Sequence, residues 1–122
     1  MKTLKIKIIL GSTRDGRFSD KPGTWMLGQL KSRDGIVYQE WNKKPIAFVS
    51  YGSAMGARSV EQLRQVAVEL QMAPIRNAIH MPYDVLMTIG KGASAEEAFG
   101  PYADRATGLV DELIWWANAL KA

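Results

Sequence analysis

The sequence predicts an α/β domain built on a parallel, doubly wound sheet. Three observations point there. Apolar runs of strand length alternate with amphipathic stretches of helical period. Two of the apolar runs end in loops of glycine and small polar residues, where an open parallel sheet places its ligand. The 122 residues, 47% hydrophobic and 23% charged, suit one domain with one core and exclude a disordered chain.

Leu4 to Leu10 reads as the first strand. Leu4, Ile6 and Ile8 alternate with Lys5 and Lys7, and Ile9 and Leu10 make its end wholly apolar. A polar turn follows from Gly11 to Asp20. Pro22 suits the first turn of a helix, which needs no N–H there, and Ser19 or Asp20 is placed to cap it. The helix is expected over Pro22 to Lys31, with Trp25, Met26 and Leu30 inward. Gly35 to Tyr38 is ambiguous, its Ile36, Val37 and Tyr38 favouring a short strand.

After the Asn42 to Pro45 turn, Ile46 to Ser50 reads as a buried strand. A glycine-rich loop, Tyr51 to Gly56, leads into an amphipathic helix over Ala57 to Gln71, with Val60, Leu63, Ala67 and Leu70 on its inner side. Pro74 to His80 is the next strand. Met81 to Gly92 reads as a loop with a short strand over Val85 to Ile89. Ser94 and Glu97 have the spacing of a capping box. Gly100 and Pro101 end that short helix. A last helix over Ala103 to Leu120 carries Leu109, Leu113, Trp116, Ala117 and Leu120 as its core stripe.

Charge and rare residues narrow the chemistry. A net charge of +4 and a pI near 9.5 suit an anionic small ligand as well as nucleic acid. Lysines and arginines form no tract, so no nucleic-acid partner is expected. Without cysteine there is no disulfide, thiolate nucleophile or iron–sulfur ligation. The single histidine, His80, reads as a packed or surface residue, and no metal site is expected. The sequence shows no signal-peptide pattern and no stretch near the roughly 20 apolar residues of a membrane helix, so a cytoplasmic protein without a membrane partner is expected.

The first candidate binding loop is Gly11-Ser12-Thr13-Arg14-Asp15-Gly16-Arg17-Phe18-Ser19. It joins a strand to a helix, whose N-terminus favours an anion. Ser12, Thr13 and Ser19 offer hydroxyl donors, and Arg14 and Arg17 offer guanidinium forks matched to phosphate oxygens. Neither a Gly-x-Gly-x-x-Gly dinucleotide fingerprint nor a Gly-Lys-Ser/Thr triphosphate loop is present. The second loop, Tyr51 to Ser59, stands at the same sheet edge. Gly52, Ser53 and Gly56 let a planar ring approach the backbone, with Met55 against it. The same residues also suit a plain helix entry, and the two readings stand side by side. Tyr83 and Asp84 lie where they could line the rim. Trp25 and Trp41 read as packing residues, and Gly90-Lys91-Gly92 as a loop tip.

Ile9 to Pro22, Glu40 to Arg64, Gln71 to Pro82 and the Trp115-Trp116-Ala117 ending together resemble the NADPH-dependent FMN reductase family. The resemblance implies a flavodoxin-like fold and non-covalent FMN, with NADPH as electron donor and a small-molecule electron acceptor. Ser12, Thr13, Arg14, Arg17, Phe18 and Ser19 match the family's phosphate loop; Gly52, Ser53, Met55 and Gly56 match its loop near the isoalloxazine. The flavin does the redox chemistry, so no catalytic side chain is implied.

Between Lys31 and Trp41 a usual member carries several dozen more residues. They hold the second strand, much of the third-strand region and a Pro-Glu-Tyr-Asn loop, all missing here. The expectation is thus a truncated flavodoxin-like sheet with a bare edge, and a homo-oligomer, dimer or tetramer, that covers it. Two functions follow: an FMN reductase-type oxidoreductase, or a non-catalytic truncated oligomer with weak or no FMN binding.

Overall fold

A computed structural model describes residues 8–11, 18–31 and 42–121. The order is α1 (Asp20–Lys31), β1 (Pro45–Gly52), a 3₁₀ turn (Ser53–Gly56), α2 (Ala57–Glu69), β2 (Ala73–Pro82), α3 (Tyr83–Gly90), α4 (Ala95–Phe99), a second 3₁₀ turn (Gly100–Tyr102) and α5 (Ala103–Leu120). Among the described residues the sheet has two strands, β1 and β2, paired in parallel from Pro45 against Ala73 to Gly52 against Pro82. The α2 helix is their crossover, as parallel pairing requires.

Alternation along the strands separates two faces. On one, Ile75, Ile79 and Met81 of β2 are buried, with Ala47, Val49 and Tyr51 of β1 packed against them. Trp25 and Met26 from α1, Ala98 and Phe99 from α4, and Ala106, Leu109, Val110 and Leu113 from α5 close over that face to form the main core. Phe99 is fully buried and meets Trp25 at a ring distance of 5.6 Å. Burying such a ring contributes about 2–3 kcal/mol. On the other face Phe48 is buried near α2, which turns Val60 and Ala67 inward. The Arg64 guanidinium lies 5.2 Å from the Phe48 ring centre and donates to the Ile75 carbonyl at 2.7 Å.

Helices on both faces of a parallel sheet make this a doubly wound arrangement. The capping box forms as its spacing predicts: the Glu97 amide donates to the Ser94 hydroxyl at 3.2 Å and the Ser94 amide to the Glu97 carboxylate at 2.8 Å. On α5, Leu109, Leu113 and Ala117 are buried as expected, joined by Ala106 and Val110; Trp116 is half-buried. Trp115 stands exposed with its ring edge against Trp116.

Three expectations are corrected. The strand expected over Leu4 to Leu10 falls partly outside the described residues, and Ile8, Ile9 and Leu10 have no regular structure. Ile9 is 64% exposed, and a strand needs a ladder partner to persist. Val85 to Ile89 is helical within α3, not a strand. Val85 and Ile89, four residues apart, both reach the core while Met87 is exposed; that is helical period, and it overrides the β-propensity of the run. On α2, Leu63 is 50% and Leu70 44% exposed, because the two described strands are narrower than the apolar face the helix carries. The short strand considered over Gly35 to Tyr38 and the Trp41 reading lie outside the described residues, as does the Leu30 side chain.

Candidate functional site

The described parts of the two candidate loops meet at the carboxyl end of the sheet. Phe18, at the exit of the first loop, packs edge-on to Tyr51 at the end of β1, with ring centres 5.0 Å apart. The Lys21 ammonium sits 5.5 Å from the Phe18 ring centre, placing a positive charge at that exit. Tyr51 precedes Gly52, so the first loop's exit adjoins the start of the second. Ser12, Thr13, Arg14 and Arg17 lie outside the described residues.

Ser19 is buried at 8% exposure, and among the described residues its hydroxyl has no hydrogen-bond partner. Of the two caps the sequence offered, Ser19 or Asp20, the Ser19 hydroxyl is not used among the described residues. The helix entry is closed by backbone instead: Lys21 N–H donates to the Phe18 carbonyl and Gly23 N–H to the Ser19 carbonyl, each at 3.0 Å. Pro22 has no N–H to offer. With those donors taken up, the Ser19 hydroxyl is an open donor at the helix entry. A buried hydroxyl left unpaired costs about 1–3 kcal/mol, which a bound acceptor recovers.

The second loop is held in a left-handed shape. Gly52 has φ 110° and ψ −160°, open to glycine alone. Ala54 (φ 50°) and Met55 (φ 57°) follow, then Gly56 (φ 69°). A left-handed conformation costs an L-residue about 1–2 kcal/mol, so something must hold Ala54 and Met55 there. At Gly56 there is no choice of residue: a Cβ would stand 2.9 Å from Ser50 Cβ and 3.0 Å from the Tyr51 carbonyl oxygen. The Ser50 hydroxyl donates to the Met55 carbonyl at 2.7 Å and lies 2.5 Å from His80 Nδ1. Ser53 and Met55 remain exposed, Met55 at 43%, so an apolar thioether faces outward beside a backbone drawn tight to the strand.

Tyr51, Lys21, Ser50 and His80 are the residues the sequence did not single out for the site. Tyr51 and Lys21 flank a named loop residue in space only once both loops reach the same edge. Ser50 and His80 need the parallel register to be seen as partners. Tyr83 is exposed at 54% and opens α3 directly after β2, with Asp84 beside it. An open cleft of about 640 Å³ lies beside α1, lined in part by Asp20, Lys21, Thr24, Trp25 and Glu96; no residue of the glycine loop lines it. Among the described residues no cluster of histidine or carboxylate could hold a metal, and no helix is long and apolar enough to cross a membrane.

A parallel βαβ unit with helices on both faces and a glycine loop at its carboxyl end defines a flavodoxin-like α/β protein. Residues 34–85 match the sequence profile of the NADPH-dependent FMN reductases. Two curated relatives agree. An NAD(P)H-dependent FMN reductase of Schizosaccharomyces pombe is 37% identical over 60 residues, covering 48% of this chain and 30% of its own length. Another from a Nectria species is 30% identical over 86 residues, covering 65% of this chain and 42% of its own. The chain thus spans less than half the length of these relatives. No solved structure matches it.

Proposed function

We propose that this chain provides an FMN site of the NAD(P)H-dependent FMN reductase type. The observation that carries the reading is the buried Ser19 hydroxyl at the entry of α1, unpartnered among the described residues, adjoining through Phe18 and Tyr51 a glycine loop that a ring can approach. The matched family segment and the two relatives' names support it. The phosphate is held by Ser19 together with Ser12, Thr13, Arg14 and Arg17. Gly52, Ser53, Met55 and Gly56 form the wall beside the ring. Bound FMN supplies two-electron transfer between NADPH and a small acceptor; the chain's residues bind and orient it.

The partner is a second copy of this chain, in a dimer or tetramer, and the compartment is the cytoplasm. Leu63, Val66 and Leu70 of α2, each at least 44% exposed, support self-association. The other reading, a non-catalytic oligomer with weak or no FMN binding, takes its support from the residues absent between Lys31 and Trp41. An absorbance spectrum of the protein, mixed with FMN and desalted, separates the two. A retained flavin band that NADPH bleaches supports the FMN reductase reading. A colourless protein supports the other.

A further inference from the structure

Ser50 and His80 are register partners on adjacent strands, two steps before the sheet ends. Both lie on the face that carries Phe48 and α2. The Ser50 hydroxyl has a single proton. The Met55 carbonyl can only accept, so the 2.7 Å contact takes that proton. The 2.5 Å contact to His80 Nδ1 is then a hydrogen bond only if Nδ1 carries a proton and donates it to Ser50 Oγ. The neutral imidazole must therefore be the Nδ1–H tautomer, with Nε2 left as an acceptor. The chain of donors runs from His80 through Ser50 to Met55, in the middle of the three consecutive left-handed residues Ala54, Met55 and Gly56.

We infer that His80 is a positioning residue for the glycine loop: through Ser50 it draws the Met55 carbonyl inward and keeps residues 54–56 left-handed. The inference rests on the reading of that loop as the wall beside the flavin ring only for its effect on FMN; its effect on the loop stands on the apo chain. A mere packing role predicts nothing about which ring nitrogen matters. The relay does, because an asparagine amide reaches the place of Nδ1 and a glutamine amide the place of Nε2.

His80 is the single histidine of the chain, so the imaginary crowding of other imidazole signals is absent and one ¹⁵N spectrum reports it alone. At alkaline pH the uniformly labelled apo protein should show a protonated Nδ1 and an unprotonated Nε2; a protonated Nε2 overturns the inference. In the same samples the amide resonances of Ala54, Met55 and Gly56 should stay in place in His80→Asn and move in His80→Gln and Ser50→Ala. Equal shifts in all three variants overturn it. With FMN, His80→Gln and Ser50→Ala should raise Kd about 10-fold, the loss of one hydrogen bond, while His80→Asn stays within about 2-fold. Inorganic phosphate should bind all of them alike. If the unaltered chain takes up no FMN, the proposed function fails, and the tautomer and the loop amides still decide the role of His80.

Discussion

Glu112 on α5 and Asn77 on β2 are joined at the edge of the sheet. The Asn77 amide donates to Oε2 at 3.0 Å, and the neighbouring Arg76 amide donates to Oε1 at 3.2 Å. The reason lies in the register. From Ile46 to Phe48 β1 advances two residues, while its partner advances four, from Pro74 to Ala78. Two extra residues in β2 make a bulge whose amides leave the ladder, and the Glu112 carboxylate collects them.

Glu112→Ala should therefore destabilise the chain by about 0.5–1.5 kcal/mol, since it removes two hydrogen bonds that hold the bulge to α5. The midpoint of thermal unfolding should fall by several degrees. Glu112→Gln should fall between, because one of its two terminal atoms donates where an acceptor is needed. An unchanged melting curve for the alanine variant would show that solvent replaces the carboxylate fully.

Gly56→Ala should be among the more damaging single-methyl changes in the molecule. It forces alanine to φ 69° and drives its Cβ to 2.9 Å from Ser50 Cβ and 3.0 Å from a strand carbonyl that has little freedom to retreat. Strain of about 1–3 kcal/mol is expected from the backbone alone, and the contact adds to it. Chemical denaturation would measure it. Gly108→Ala, in the middle of α5 with open space at its Cβ, is the control and should be neutral or stabilising.

Much of the fold was legible in the sequence, and the exceptions have physical causes. The α5 helix and the Ser94–Glu97 box were legible because period and capping are local properties. The β1–α2–β2 unit was legible because two apolar runs flank a clear helical repeat. Val85 to Ile89 misled because its composition favours a strand, while the spacing of Val85 and Ile89 is what reaches the core. For α2 the repeat was visible but not the boundary of its covered stripe, which depends on the width of the sheet. In the site, glycine marked the second loop, yet nothing in the letters of Ala54 and Met55 announces a left-handed backbone. The Ser50–His80 contact depends on a register that a single strand cannot reveal.

Ser19→Ala should act with opposite signs on two measurements. In the apo chain it removes a buried hydroxyl that has no partner among the described residues, so stability should hold or rise slightly. Toward FMN it removes a donor to a charged phosphate, and affinity should fall about 10-fold or more. Thermal unfolding of the apo variant and an FMN titration, made on the same preparation, give both signs. If the variant loses stability without FMN present, the hydroxyl has a structural partner and the phosphate role fails.

The exposed face of α2 carries the last prediction. Leu63, Val66 and Leu70 follow one another at helical spacing and are 50%, 53% and 44% exposed. An antiparallel pairing of α2 with its own copy would bury that stripe about a twofold axis. Sedimentation of the wild-type chain at micromolar concentration should give a dimer or a higher species. Leu63→Lys with Val66→Lys should shift it to a monomer while the far-ultraviolet circular dichroism stays unchanged, because neither side chain supports the protomer's core. A monomeric wild-type chain would show that this face is covered by no second copy.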